Sequence, residues 1–422
     1  MSKLKATLGF ASLGVLTLGI VTGCGSNSNS SSTSNGAGAS SSKPVSLTLG
    51  MWSSSPAEKA MVQKQVKGFE KKFPNIHVNI QVINGNYEQQ IQTMLAAHTA
   101  PDVFYVNSSN AQLYESKGVL MPLEKYMQKD GIKKSDFSSS LLKAFEWKGT
   151  LYGIPKDFGT LGLYYNKALL SKAGISSAPT TWTQFQSDAA KLKAKGINPL
   201  AMDPSVGRYY PWILDEGGSY YDAKANKVTL TNPKNAAGLN FYLKNAKKKY
   251  IVQPKNLGQS NATAVFANKK AAMMVTGAWA VPSLKKLAPN MKYGIAKFPS
   301  LNGNDYNLAF TVSYSMSKHT KHPAASAKLL FYMTGDSAEK LEAVDGFAIP
   351  SRKSQQAIFS QQHPQEKAFV DGVSNSVSFA FGLHGSNVIS AVDNQLPGAL
   401  DNKETASQML KKAQSIVQSQ QG

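Results

Sequence analysis

Between residues 45 and 106 the hydrophobic period of the chain changes four times, and this alternation constrains the fold more than any other feature. Val45-Ser46-Leu47-Thr48-Leu49-Gly50-Met51 alternates apolar and polar residues, the period of a strand. Ser55-Pro56-Ala57-Glu58 then supplies an N-cap, a first-turn proline and a capping-box glutamate. The helix that follows carries Met61, Val62, Val66 and Phe69 on one side and stops at Pro74. Ile76, Val78, Ile80 and Val82 alternate with polar residues as a second strand, and Tyr87 to His98 suits a second helix. Asp102 to Val106 is a short, nearly continuous apolar run, as a buried strand should be. The order β-α-β-α-β predicts a parallel sheet with right-handed crossovers, hence an α/β protein.

The pattern returns downstream with its own caps. Thr181-Trp182-Thr183-Gln184 opens a helix that Gly196 closes, and Asn232-Pro233 opens another that ends in lysines 247–249. Ala271 to Val275 and Tyr293 to Ala296 read as strands, Asp336-Ser337-Ala338-Glu339 as a further capping box, and Thr405 to Gln418 as the last helix. About 400 residues with 42% hydrophobic content exceed what one compact core holds and suit two lobes.

The first 44 residues read differently. Lys3 and Lys5 precede an apolar run from Thr7 to Val21, shorter than the roughly 20 residues that span a bilayer, which is the shape of a secretory signal over 1–23. Val21-Thr22-Gly23-Cys24 resembles the lipobox of bacterial lipoproteins, which implies cleavage before Cys24 and its acylation. Cys24 is the single cysteine, so no disulfide is expected. Residues 25–42 are almost wholly Ser, Asn, Gly, Thr and Ala and cannot offset the entropy of ordering. We therefore read 24–44 as lipidated cysteine plus flexible tether; 20 such residues reach roughly 25 Å.

Net charge is +21, and +19 once Lys3 and Lys5 leave with the signal. Only Arg208 and Arg352 are arginines, so the charge is lysine spread along the chain, unlike the arginine-based readers of phosphate. Nucleic acid is not expected as a partner; attraction to an anionic envelope is. With 25 carboxylates, little stability should be lost on acidification.

In open parallel sheets ligands bind beyond the carboxyl ends of the strands. That rule selects Trp52-Ser53-Ser54 after the first strand and Asn107-Ser108-Ser109-Asn110 after the third. Aromatics cluster again at Tyr209-Tyr210-Pro211-Trp212 and Tyr220-Tyr221, and Trp279 ends a strand. An aromatic platform edged by amide, hydroxyl and carboxylate groups suits a sugar, whose ring has an apolar C–H face and a belt of hydroxyls. Each aromatic can equally be core packing, and Ser54 or Asn110 a helix cap.

Catalytic signatures are scarce: no HExxH, GxSxG, GxxxxGK[ST] or GxGxxG occurs. His319 and His322 lie close together but lack a third ligand, so no metal or other cofactor is expected. Asp157, Asp203, Asp215 and Glu216 could supply a glycosidase pair, yet no spacing selects two of them. No catalytic residue is assigned.

Five segments, in order, resemble the extracellular solute-binding proteins of ABC importers, in the group that includes maltose- and oligosaccharide-binding proteins. They are FEKKFPNIHV, APDVFYVN, GTLYGIPKDFGTLGLYYNKALLSKAGI with PTTWTQF, VTGAWAV, and AASAKLLFYMTGDSAEKLEAVDGFAIPSR. The resemblance implies a two-lobe α/β periplasmic-binding-protein (Venus-flytrap) fold with a hinge and an interlobe cleft. Residues 45–156 plus 303–350 would form one lobe and 157–302 plus 351–422 the other. Crossings are expected near Pro155-Lys156, Leu301 to Asn304 and Ala348 to Ser351. By position, Trp52, Ser109, Asn110, Trp279, Tyr209 and Tyr210 match ligand-binding places of the family, and Asp157, within 157–160, matches an acidic sugar ligand; Ser54 remains a candidate from the strand-end rule alone. The aromatic expected around Ile389 is missing, and Phe381 or His384 could substitute. Pro56 and Ala57 stand where maltose-binding relatives carry charged residues.

The resemblance implies a monomeric, lipid-anchored receptor on the extracytoplasmic face of the cell membrane, in a Gram-positive setting. It would capture a carbohydrate and present it to ABC transporter permease subunits without acting as an enzyme. A polyol, glycerol phosphate or peptide ligand keeps the fold; a secreted glycosidase or a surface adhesin would change the class.

Overall fold

The computed structural model describes residues 43–53, 56–346 and 348–420. The signal, Cys24, most of the tether, Ser54 and the capping residue Ser55 lie outside them. The principal strands are β1 (Val45–Met51), β2 (Ile76–Val82), β3 (Val103–Asn107), β4 (Gly153–Asn166), β5 (Leu200–Ala201), β6 (Ile251–Val252), β7 (Met273–Gly277), β8 (Tyr293–Lys297), β9 (Asn307–Met316), β10 (Ile349–Pro350) and β11 (Ser376–Ser378). The helices used below are α1 (Pro56–Lys72), α2 (Tyr87–Ala96), α3 (Ser108–Ser116), α4 (Trp182–Ala194), α5 (Val206–Asp215), α6 (Pro233–Lys247), α7 (Pro323–Met333), α8 (Asp336–Asp345), α9 (Gly385–Leu400) and α10 (Ala406–Ser419).

The opening alternation folds as its periods dictate. β1 pairs in parallel with β2 and with β3, and Met61, Val62, Val66 and Phe69 of α1 are all buried against them. Asp102 fixes the start of β3, accepting from the Thr48 amide at 2.9 Å and from the Thr320 hydroxyl at 2.5 Å. Thr181 and Asn232 cap α4 and α6, and Thr405 caps α10 through a complete capping box with Gln408. Asp336 does not cap: α8 begins after Gly335, and Asp336 instead accepts from Ser354 at 2.6 Å and Gln355 at 2.8 Å. Its capping-box partner Glu339 turns inward.

All eleven strands belong to one mixed sheet, in the order β6-β5-β7-β4-β9-β3-β1-β2, with β8 and β10 also on β4 and β11 on β9. Two strands carry it across the molecule. β4 pairs antiparallel with β9 through Gly153–Thr160, then with β7 and β8 through Leu161–Asn166. One apolar core gathers Leu47, Phe104, Tyr105, Ile154, Tyr314 and α7 residues; a second gathers Leu161, Trp182, Trp212, Leu308 and residues of α9 and α10. β4 and β9 each pass from one core to the other, and a register slip interrupts their pairing between Val312 and Ser313. Leu301–Asn304 forms a closed turn, tied by Asn302 and Asn304 to Glu216 and Asp215 at the end of α5. The chain changes core downstream of that turn, within β9.

Candidate ligand-binding cleft

Where β4 and β9 change cores, a cleft of about 520 Å³ opens between residues drawn from many elements. Trp52 leaves the carboxyl end of β1, held edge-on by Tyr87 and Tyr105 with centroids 4.9 and 5.0 Å away. Asn107, at the end of β3, caps α3 by accepting from the Ser109 amide and hydroxyl, both at 3.1 Å, which fixes Ser109 at the cleft wall. The Ser108 hydroxyl crosses to the Phe379 carbonyl at 3.2 Å.

On the facing side Trp279 follows β7 and is 43% exposed, a large apolar surface left open to the cleft. Its ring lies close over glycine backbone: a methyl at Gly277 would sit 2.1 Å from it and one at Gly159 3.0 Å. Any side chain there would displace the indole. Phe310 of β9 meets Trp279 edge-on at 5.3 Å, and the Arg208 guanidinium lies 5.2 Å from its centroid.

Between the tryptophans, β4 contributes Lys156 and Asp157 as an ion pair. Burial raises the Asp157 carboxyl, with Lys156 pulling it back. Burial also pulls the Lys156 ammonium down, but Asp157, Glu342 and Glu58 outweigh it and leave Lys156 raised and charged. Its ammonium stands 5.0 Å from the Tyr105 ring, so the pair is braced against the aromatic wall under Trp52.

Four expected contact residues, Trp52, Ser109, Asp157 and Trp279, meet in this cleft. Others do not. Tyr209 is fully buried, stacked on Tyr242 at 5.6 Å and bonded to the Tyr220 hydroxyl at 3.3 Å. Tyr210 is 3% exposed and its hydroxyl accepts from the Tyr220 amide at 3.0 Å. Both belong to the face of α5 that fills the second core; the residue that α5 sends beside the cleft is Arg208. Asn110 is buried beside Glu88, beneath the cleft wall and outside its lining. His384 is half-buried at the start of α9 and does not line the cleft. Phe381 packs under Phe379 and Tyr210. The aromatic missing near Ile389 is supplied by Phe379, which lines the cleft and packs on Phe310 at 5.0 Å.

Sequence reasoning missed Glu58, Lys156, Phe310 and Phe379. Only Phe310 left a usable signal: it shares with Val312 the half-buried face of β9, opposite the fully buried Ala309 and Ser313. Of the four carboxylates weighed for glycoside hydrolysis, only Asp157 reaches the cleft. Asp203 caps Ala262 at 2.8 Å, and Asp215 and Glu216 hold the 301–304 region. The arrangement offers stacking surfaces and polar edges, with Lys156 and Asp157 already paired to each other.

Residues 52–340 match the bacterial extracellular solute-binding proteins. The chain belongs to this family. The multiple sugar-binding protein of Streptococcus mutans is 26% identical to this solute-binding protein over 358 residues, 78% of this chain and 81% of that one. The ABC substrate-binding protein from Listeria monocytogenes solved in complex with cycloalternan superposes with a TM-score of 0.80 at 23% identity, covering 90% of this chain and all of that one. The GacH receptor of Streptomyces glaucescens, solved unliganded and with acarbose, gives 0.77 at 23% identity over 88% and 97%. These likenesses establish the two-lobed α/β fold for this solute-binding protein. No helix among the described residues is long and apolar enough to cross a membrane.

Proposed function

We propose that the protein captures a sugar or oligosaccharide between its lobes and delivers it to the permease of an ABC importer, without chemical change to the ligand. The observation that carries this is the exposed Trp279 indole facing a cleft edged by Ser109, Asp157 and Trp52. Indole and phenyl faces suit the C–H face of a pyranose, and the hydroxyl and carboxylate edges suit its hydroxyls. The relatives named above bind sugars or were solved with saccharides, which supports the same ligand class here.

In this reading residues 45–156 with 303–350 form one lobe and 157–302 with 351–422 the other, with β4 and β9 as hinge strands. Ligand touching both lobes favours the closed form by its differential contacts. Acylation at Cys24 anchors a monomer on the extracytoplasmic face of the membrane, and the 25–42 stretch lets it reach the permease.

A thermal-shift screen against mono- and oligosaccharides tests the reading, since a ligand at 100 times its Kd adds about 2.7 kcal/mol. A melting curve indifferent to every saccharide overturns it. A second reading, a phosphorylated polyol, is favoured by Arg208, whose buried Nε has no hydrogen-bond partner. Glycerol phosphate in the same screen decides between them.

A further inference from the structure

The positive charge of this protein sits in one half. Residues 157–302 with 351–422 hold 26 lysines and arginines against 11 aspartates and glutamates, a net +15. Residues 45–156 with 303–350 hold 17 against 14, a net +3. A signal or a solubility requirement would not divide the charge so unequally.

Within the basic half lysines gather where the carboxyl ends of α4 and α6 approach the loop before α10 and its first turns. The end of α4 meets the end of α6 where Lys193 Nζ donates to the Lys248 carbonyl at 2.8 Å. The Lys193 and Lys248 ammonium groups both lie over the Tyr250 ring, 5.8 and 5.7 Å from its centroid. Two like charges thus share one aromatic ring. Beside them runs a groove of about 430 Å³ lined by Lys244, Lys247 and Lys403, with Asn240, Asn402 and one carboxylate, Glu404, which Lys412 neutralises at 2.6 Å. It adjoins through Gln408 a second hollow edged by Lys411 and Lys412. All these lysines are exposed. Among the described residues, Lys403 and Lys412 have carboxylate partners in Asp401 and Glu404, whereas Lys193, Lys244, Lys247 and Lys248 have none within 4.0 Å.

The helix dipole accounts for lysines at the ends of α4 and α6. It does not account for Lys403 in a loop or Lys411 within α10, nor for a groove running past all three. Uncompensated like charge repels itself and is relieved by a counter-charged partner. The shape selects among partners. A strip of ammonium groups around a concave groove follows an extended chain, whereas a flat bilayer would touch only its rim. Ammonium groups are compact donors that suit mobile, monodentate anions, and the groove amides can donate to phosphate or hydroxyl oxygens.

We propose that this ridge is a docking surface for a flexible polymer of phosphodiester-linked polyol units lying along the groove between α6 and the α9–α10 corner. None of its lysines lines the ligand cleft, so the surface acts independently of solute capture.

The test uses poly(glycerol phosphate) as probe and follows the affinity of the purified protein as salt is varied. Each phosphate contact should steepen the slope of log K against log salt by roughly 0.7. Replacing Lys193, Lys247, Lys248 and Lys403 by Gln should cost at least about tenfold at roughly 0.15 M salt and flatten the slope. The same four positions changed to Arg should keep binding, which separates lost charge from lost folding. A control with Lys59, Lys64, Lys129 and Lys133 changed to Gln removes equal charge from the other half and should bind as the parent does. Equal losses in the two Gln variants, or no binding by the parent, would overturn the proposal. Tighter binding to phosphatidylglycerol vesicles than to the polymer would overturn it in favour of a lipid surface.

Discussion

Ser351 Oγ donates to Glu339 Oε1 at 2.7 Å, deep in the interior beside β10. The same hydroxyl lies 2.5 Å from the Pro155 carbonyl, so one donor faces two acceptors. The other carboxyl oxygen accepts from the Arg352 amide at 2.8 Å. Burial, the dominant cause, holds Glu339 well above the usual carboxylate range, with Glu342 adding to it. Through Ser351 this buried carboxyl joins α8 to the end of β10 and to Pro155 of β4.

Glu339→Gln should be tolerated, because the amide donates to Ser351 while its oxygen still accepts from Arg352; the expected change is within about 0.5 kcal/mol at pH 5. Glu339→Ala should cost about 2 to 4 kcal/mol, since it leaves a void and buried partners unmatched. Urea denaturation of both variants checks this, and equal losses would show that the hydrogen bonds to Ser351 and Arg352 carry none of the stabilisation.

Stability should fall as pH rises from 5 to 8. Burial pushes Glu115 and Asp215 up to about 8 and Glu342 and Glu366 to about 7, against about 4 when unfolded. Over that window the folded chain holds protons the unfolded chain releases, so the stability these groups contribute is complete below pH 4 and is lost through pH 7–8. Asp336, lowered by its Ser354 hydrogen bond, acts oppositely, at pH below 4. Melting temperatures measured across pH 4–8 should decline above pH 5, and Glu342→Gln should flatten the decline.

Trp279→Ala should remove the saccharide-induced thermal shift while leaving the unliganded protein folded, because the indole is 43% exposed and its loss opens no core void. Gly277→Ala should weaken binding as well, through displacement of the ring, without removing any polar contact. Isothermal titration with the saccharide found in the screen measures both; unchanged affinity in either speaks against the platform.

Lys156→Met should destabilise by about 3 to 5 kcal/mol, the cost of leaving a buried carboxylate without its counter-charge. Lys156→Met with Asp157→Asn should recover part of that loss while saccharide binding stays impaired. Chemical denaturation and titration separate the two effects.

The sequence made the first β-α-β-α-β unit legible because strong periods and caps coincide there, and Trp52 and Trp279 followed from the rule about strand ends. Tyr209 and Tyr210 misled because adjacent aromatics on a helix do not reveal which side is core; Gly207 and Arg208, less conspicuous, stand against Phe310, Phe379 and Trp279 at the cleft edge. Asn110 lies one residue past Ser109, which faces the cleft, and a helix turns about 100° per residue. Phe379 was hidden in an irregular segment after a three-residue strand, too short to show a period. Lys156 and Glu58 acquire their importance from contacts across the fold.

β4 and β9 run unbroken through both halves of the molecule. Neither half could therefore melt and leave its neighbour intact, since each would lose two of its own central strands in the process. Heating in a calorimeter should produce a single endotherm, and ligand that bridges the halves should move that peak whole rather than split it.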